Sequence, residues 1–277
     1  PHFSKRIFSH FMNKEILRLA IPNILSNISV PLLSTVDTAL MGRLSEAHIG
    51  AVGVGAMIFN FVYWNFGFLR MGTTGITAHA FGRKDNLAIT NTIGRALLVA
   101  IIIAGLIMIF QVPFGEASFF LMNASGEQQV LLEEYFYIRI WAAPASLALF
   151  AFFGWFFGMQ NAVYPLILTI LINVVNIALS YIFVWKMDMG VAGVAWGTVI
   201  AQYAGLLGAV VLFLNKYTTY LQYLKRETIL KINELKQFFS INRDIFIRTV
   251  CLSFAFGFFF SQSSAEGEMI LAVNVIL

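Results

Sequence analysis

The sequence predicts an all-α polytopic membrane protein. Three observations predict it: 59% of the 277 residues are hydrophobic and only 12% charged, mean hydropathy is +0.78, and apolar runs of about 20 residues or more recur along the chain. So little charge leaves no room for a conventional polar surface. Twenty-one glycines against six prolines suit close helix packing, and 28 phenylalanines suit lipid-facing surface. The single cysteine, Cys251, excludes an internal disulfide and reads as a small buried hydrophobe.

Six full spans can be drawn, at about 16–41, 50–78, 88–112, 130–158, 162–185 and 190–214, so residues 1–214 form a first lobe. The first span has the basic flank of a signal peptide, but it is too long and lacks a small-residue cleavage site, so it reads as retained. Pro165 and the pair Gly190 and Gly193 mark helix starts. Between 215 and 242, Leu221, Leu224, Ile229, Ile232, Leu235 and Phe238 recur at mostly three-to-five spacing among Lys, Arg and Glu. That pattern predicts an amphipathic linker helix lying on the inner membrane surface.

Residues 243–277 read as the start of a second lobe, with a seventh apolar run at about 244–263 and an eighth beginning near Met269. Ile270 to Val275 repeats the texture of Ile49 to Val54, a short echo of the kind internal repeats leave in transporters. Stopping at Leu277, inside an apolar run, would strand backbone polar groups in lipid, so the sequence is expected to be part of a longer protein.

The net charge of +4 points to topology, not to nucleic acid. Lys5, Arg6, Lys14 and Arg18 precede the first span, Arg83 and Lys84 follow the second, and Lys216, Lys225, Arg226, Lys231, Lys236 and Arg243 follow the sixth. Only Arg43 and Lys186 fall in the alternate loops, a bias of twelve to two that places the N-terminus in the cytoplasm. The partners this implies are the bilayer and its anionic headgroups.

Asp37 is the residue that asks for a function. A carboxylate inside a membrane span costs several kcal/mol or more and by default faces a bundle interior or wet cavity. Asn23, Asn27, Ser34 and Asp37 step by four, seven and three along one face of span one. Pro22 and Pro31 in the same span each delete a backbone donor and offer hinge points.

Asp37 lies six residues before Arg43, and Ser180 six before Lys186, so both belong to the outer half of the membrane. Asn173, Asn176 and Ser180 share one face of span five, and Thr198 and Gln202 on span six reach a similar or slightly deeper level. Together these groups can line a hydrated pocket around one titratable carboxylate. The blander reading is ordinary interhelical hydrogen bonding. Arg70 and Arg95 are expected to snorkel to the inner surface, and Arg139 to act as an ion-pair anchor with Glu133 and Glu134.

The sequence contains no phosphate-binding loop of the G-x-x-x-x-G-K-[ST] type, no C-x-x-C, no H-E-x-x-H and no clustered metal ligands. Neither a nucleotide-driven pump nor a metal centre is expected. His79 and Asp85 approach the His and Asp pair of membrane acyltransferases, but the gap is one residue too long.

Several stretches carry a family resemblance. Pro22 with Val36-Asp-Thr-Ala-Leu-Met-Gly42, Phe68-Leu-Arg-Met-Gly-Thr-Thr-Gly-Ile-Thr-Ala-His-Ala-Phe-Gly82, Ala143-Pro-Ala-Ser146 and Asn242-Arg-Asp244 resemble the multidrug and toxic compound extrusion (MATE) transporters, specifically the DNA-damage-inducible protein F (DinF) type subfamily. The likeness covers nearly the whole chain. It implies a fold of two six-helix lobes, here the N-terminal lobe, the linker and the start of the second. It also implies a cation-coupled antiporter, not an enzyme, in the cell's inner (plasma) membrane, monomeric when full length.

The resemblance assigns coupling to Asp37, with Asn176 and Thr198 as polar partners on the fifth and sixth helices. Many relatives carry a second aspartate where this chain has Ser180. Asp37 is then the sole carboxylate in the core of spans one to six, which favours a proton over Na+ as coupling ion. The expected function is efflux of amphipathic, often cationic drugs or toxins by alternating access, with protonation of Asp37 reshaping the first helix and no cofactor. The alternatives are a flippase for lipid-linked sugars or amphipathic lipids and, more remotely, a membrane acyltransferase.

Overall fold

The computed structural model describes residues 17–26, 45–122, 126–224 and 226–265, and every element among them is helical. Helix α1 (17–26) runs through Pro22. The rest of the first expected span, including Pro31 and Asp37, lies outside the described residues, as does the expected eighth span. Five helical stretches among the described residues are long and apolar enough to cross a bilayer: Glu46–Gly82, Asn86–Ile109, Gly126–Gly158, Val163–Trp185 and Gly190–Leu221.

Local chemistry sets where these helices start and bend. Helix α2 (Glu46–Asn65) begins at Ser45, whose hydroxyl accepts the His48 N–H at 3.3 Å, with Glu46 favourably placed in the first turn. The first stretch then bends at Phe66 and Gly67, where the Gly67 N–H reaches back to the Trp64 carbonyl at 3.0 Å, before α3 (Phe68–Gly82) resumes. Asp85 starts α4 (Asn86–Ile109) by accepting the Ala88 N–H at 2.9 Å. That capping bond gives Asp85 a structural task in place of a pairing with His79.

Helix α5 (Gln111–Leu121) follows as a short extra helix that the hydropathy pattern does not foretell. Helix α6 (Gly126–Arg139) passes through one tight turn, Ile140–Ala142, into α7 (Ala143–Gly158), whose start carries Pro144. A reversal with Asp188 and Gly190 both at positive φ separates α8 (Val163–Trp185) from α9 (Gly190–Leu221). Helix α9 kinks at Tyr217 and continues past 214. The linker region 215–242 is therefore shared among the end of α9, a short α10 (Arg226–Ile229) and the start of α11 (Ile232–Ala265), which runs on unbroken through the seventh apolar run.

Helix α7 is the hub, packed on α3, α4 and α9, while α8 lies along α9, α6 joins α2 to α9, and α11 lies on α3. Trp155 of α7 is fully buried and donates its indole N–H to the Ile89 carbonyl at 3.0 Å. Its ring meets Phe213 and Tyr217 edge-on, with centroids 5.1 and 4.8 Å away. Toward the other end, Phe59, Leu132, Phe136 and Val191 form a second buried cluster. The opposite faces stay bare: Ile101, Ile109 and Leu207 are 64%, 73% and 67% exposed, as a lipid-facing surface requires. Cys251, expected to be buried, is exposed on α11 beside exposed Val250, Leu252 and Phe254.

Candidate substrate and coupling site

Helices α8 and α9 approach closely because α9 turns glycines toward its neighbour. A Cβ at Gly197 would stand 2.5 Å from Ser180 Oγ and 2.9 Å from the Ser180 backbone nitrogen, and one at Gly193 would lie 3.1 Å from the Val184 nitrogen. This fit seals Asn176, Ser180 and Thr198, which are 0%, 0% and 5% exposed. The Asn176 amide donates to the Thr198 hydroxyl at 2.8 Å, and that hydroxyl donates to the Val194 carbonyl at 2.9 Å. Among the described residues, Asn176 Oδ1 and Ser180 Oγ are buried with no hydrogen-bond partner. Leaving such atoms unpaired costs about 1–3 kcal/mol each, so a ligand, a proton or a water able to meet them would be held well.

The first helix reaches this same face. Ser26 Oγ lies 2.8 Å from Thr169 Oγ1. Thr169 gives its own proton to the Pro165 carbonyl at 2.8 Å, so Ser26 is the donor. Thr169, Asn173, Asn176 and Ser180 step by four, three and four, a single stripe on α8 that starts where α1 touches it. Asn173 is half-buried and engaged, and Pro22 is half-buried in α1. The structure thus brings Asn176, Ser180 and Thr198 together and places Asn173 on the same stripe, while Asp37 and Pro31 fall outside the described residues.

Two arginines differ from expectation. Arg95 does not snorkel: only 7% exposed, it donates to the Ile229 and Thr228 carbonyls at 3.3 and 2.9 Å and pairs with Glu234 at 3.2 Å, tying the linker to α4. Bonds to groups more than 130 residues away leave no local trace in the sequence. Arg139 forms no ion pair with Glu133 or Glu134. Its guanidinium lies over the rings of Phe59 and Tyr63, 5.2 and 5.8 Å from their centroids, and Glu133 is taken by Gln129 at 2.9 Å. Its position within an apolar span was the one available signal.

An apolar cavity of about 540 Å³ opens between α2, the α4–α5 junction and α11, walled by Phe61, Phe66, Phe110, Phe246 and Phe254. Among the described residues no three His, Cys, Asp or Glu side chains gather as metal ligands. The unpartnered oxygens between α8 and α9 are neutral, so charge for a cation has to come from elsewhere.

Comparison with known proteins gives consistent results. The MatE family model matches residues 22–182, more than half of the chain. The chain is 36% identical over 268 residues to DNA damage-inducible protein F of Escherichia coli, covering 96% of this chain and 58% of that protein. It is 26% identical over 199 residues to a probable multidrug resistance protein NorM of Thermotoga maritima, covering 70% of this chain and 43% of the relative. It therefore spans roughly half the length of these relatives. A crystal structure of MATE in the bent conformation superposes with a TM-score of 0.84 at 24% identity, over 95% of this chain and 59% of the other. With the family matched over most of its spans and the fold shared, the chain belongs to the MatE, or multidrug and toxic compound extrusion, family.

Proposed function

We propose that the chain forms the first lobe of a secondary antiporter in the cell's inner (plasma) membrane, with a cytoplasmic N-terminus. It expels amphipathic, often cationic small molecules by alternating access, in exchange for a proton carried on Asp37. The observation that carries this reading is the sealed polar cluster of Asn176, Ser180 and Thr198 between α8 and α9, in which, among the described residues, Asn176 Oδ1 and Ser180 Oγ have no hydrogen-bond partner.

A residue count supports adding Asp37 to that cluster. Spans one and five both run outward in the basic-loop topology, and Ser26 meets Thr169. Asp37 comes eleven residues after Ser26, and Ser180 eleven after Thr169, the spacing at which two parallel helices of equal rise would carry them to one depth. A protonated Asp37 can donate to Ser180 Oγ or Asn176 Oδ1, whereas the anion cannot. Each unit of pKa difference between two conformations is worth about 1.4 kcal/mol, so a two-unit difference biases an equilibrium between two shapes of the first helix about a hundredfold. The name of the Thermotoga relative, probable multidrug resistance protein NorM, supports drugs as the substrates.

The test is efflux of ethidium from everted vesicles energised by a pH gradient. Full-length protein should drive it and lose it on Asp37→Asn, while an imposed Na+ gradient alone should not. Undiminished pH-driven efflux by Asp37→Asn sinks the proposal.

A further inference from the structure

A second cavity, of about 470 Å³, lies between α3, α4 and α11 at the end of the bundle that carries Arg83. Its wall changes character with depth. On α3, Met71, Gly75, His79 and Arg83 recur every four residues, so one face of the helix lines it, from apolar Met71 within the span to basic Arg83 at the helix end. On α11, Glu234, Phe238 and Ile245 grade in the same direction from polar to apolar. Arg95, nine residues into α4 from Asn86, sits about 14 Å along that helix.

The charge at the mouth is not balanced. Glu234 is already paired with Arg95 at 3.2 Å, and among the described residues no carboxylate pairs with Arg83 or His79. Both side chains are exposed. A groove with a basic mouth and an apolar floor, set where a helix leaves the membrane, complements a molecule with an anionic head and a hydrocarbon tail.

We propose that this niche binds an anionic phospholipid, with the phosphate held by Arg83 and His79 and an acyl chain laid along Met71, Ile76 and Ile245. A free phosphate ion shares the head chemistry but makes no use of the apolar floor. The bound lipid bridges α3 to α11 beside the Arg95 ties, and so braces the first lobe against α11. Binding here needs neither a drug nor a proton, so it is measured apart from transport.

The full chain, purified in a neutral detergent, is titrated with phosphatidylglycerol or phosphatidylcholine, and bound lipid is counted by native mass spectrometry. Phosphatidylglycerol should be retained in preference. The double variant His79→Gln/Arg83→Gln should weaken it at least about fivefold and leave phosphatidylcholine unchanged, while Arg83→Lys retains binding. Lys84→Gln, outside the lining, should have no effect. Equal binding of the two lipids, or unaltered phosphatidylglycerol binding by the double variant, overturns the proposal. So does displacement of the lipid by millimolar inorganic phosphate, which would mark a free-phosphate site.

Discussion

Asn176 on α8 donates its amide to the Thr198 hydroxyl on α9 at 2.8 Å, the hydrogen bond that joins the two helices at the sealed polar cluster. Thr198→Val keeps the shape but strands the Asn176 amide in a dry interface, at a cost of about 1–3 kcal/mol. The double variant Asn176→Leu/Thr198→Val removes both partners and should recover much of that loss. Thermal unfolding in detergent should rank the double variant above Thr198→Val. The reverse order would show that the amide finds another partner.

At Gly197, α9 packs tightly on the backbone of α8. A methyl there would sit 2.5 Å from Ser180 Oγ and 2.9 Å from backbone, so Gly197→Ala should push the helices apart at a cost of about 1–3 kcal/mol. A methyl added at Gly105 on α4 would meet nothing within 4 Å, and Gly105→Ala should be neutral or stabilising by up to about 1 kcal/mol. Equal melting temperatures for the two variants would contradict the close approach.

Arg95 ties the linker through Thr228, Ile229 and Glu234. Arg95→Gln should loosen α10 and speed proteolytic cleavage between 222 and 231. Glu234→Gln should do so less, because the Glu234 side chain is 51% exposed and its ion pair is weakened by solvent. Cleavage at the same rate in Arg95→Gln as in the parent chain would mean that the linker is held elsewhere.

Much of the fold is legible in the sequence, because apolar runs of membrane length admit few structures other than helices. Pro165 and Gly190 likewise act locally, at the starts of α8 and α9. The bend at Gly67 was less legible: glycine permits it, but the packing of α3 on α7 and α11 selects it. Arg95 and Arg139 depart from what the sequence implies because their partners, linker carbonyls and the faces of Phe59 and Tyr63, are brought to them by tertiary packing. Helical spacing placed Asn176 and Ser180 on one face, and the glycines of α9 decide how completely that face is sealed.

Proton release measures the coupling directly. Full-length protein in lightly buffered detergent is mixed with tetraphenylphosphonium, and the pH change is recorded. Exchange at Asp37 predicts release of up to one proton per substrate bound, abolished in Asp37→Asn even where that variant still binds substrate. Undiminished release from Asp37→Asn would contradict it.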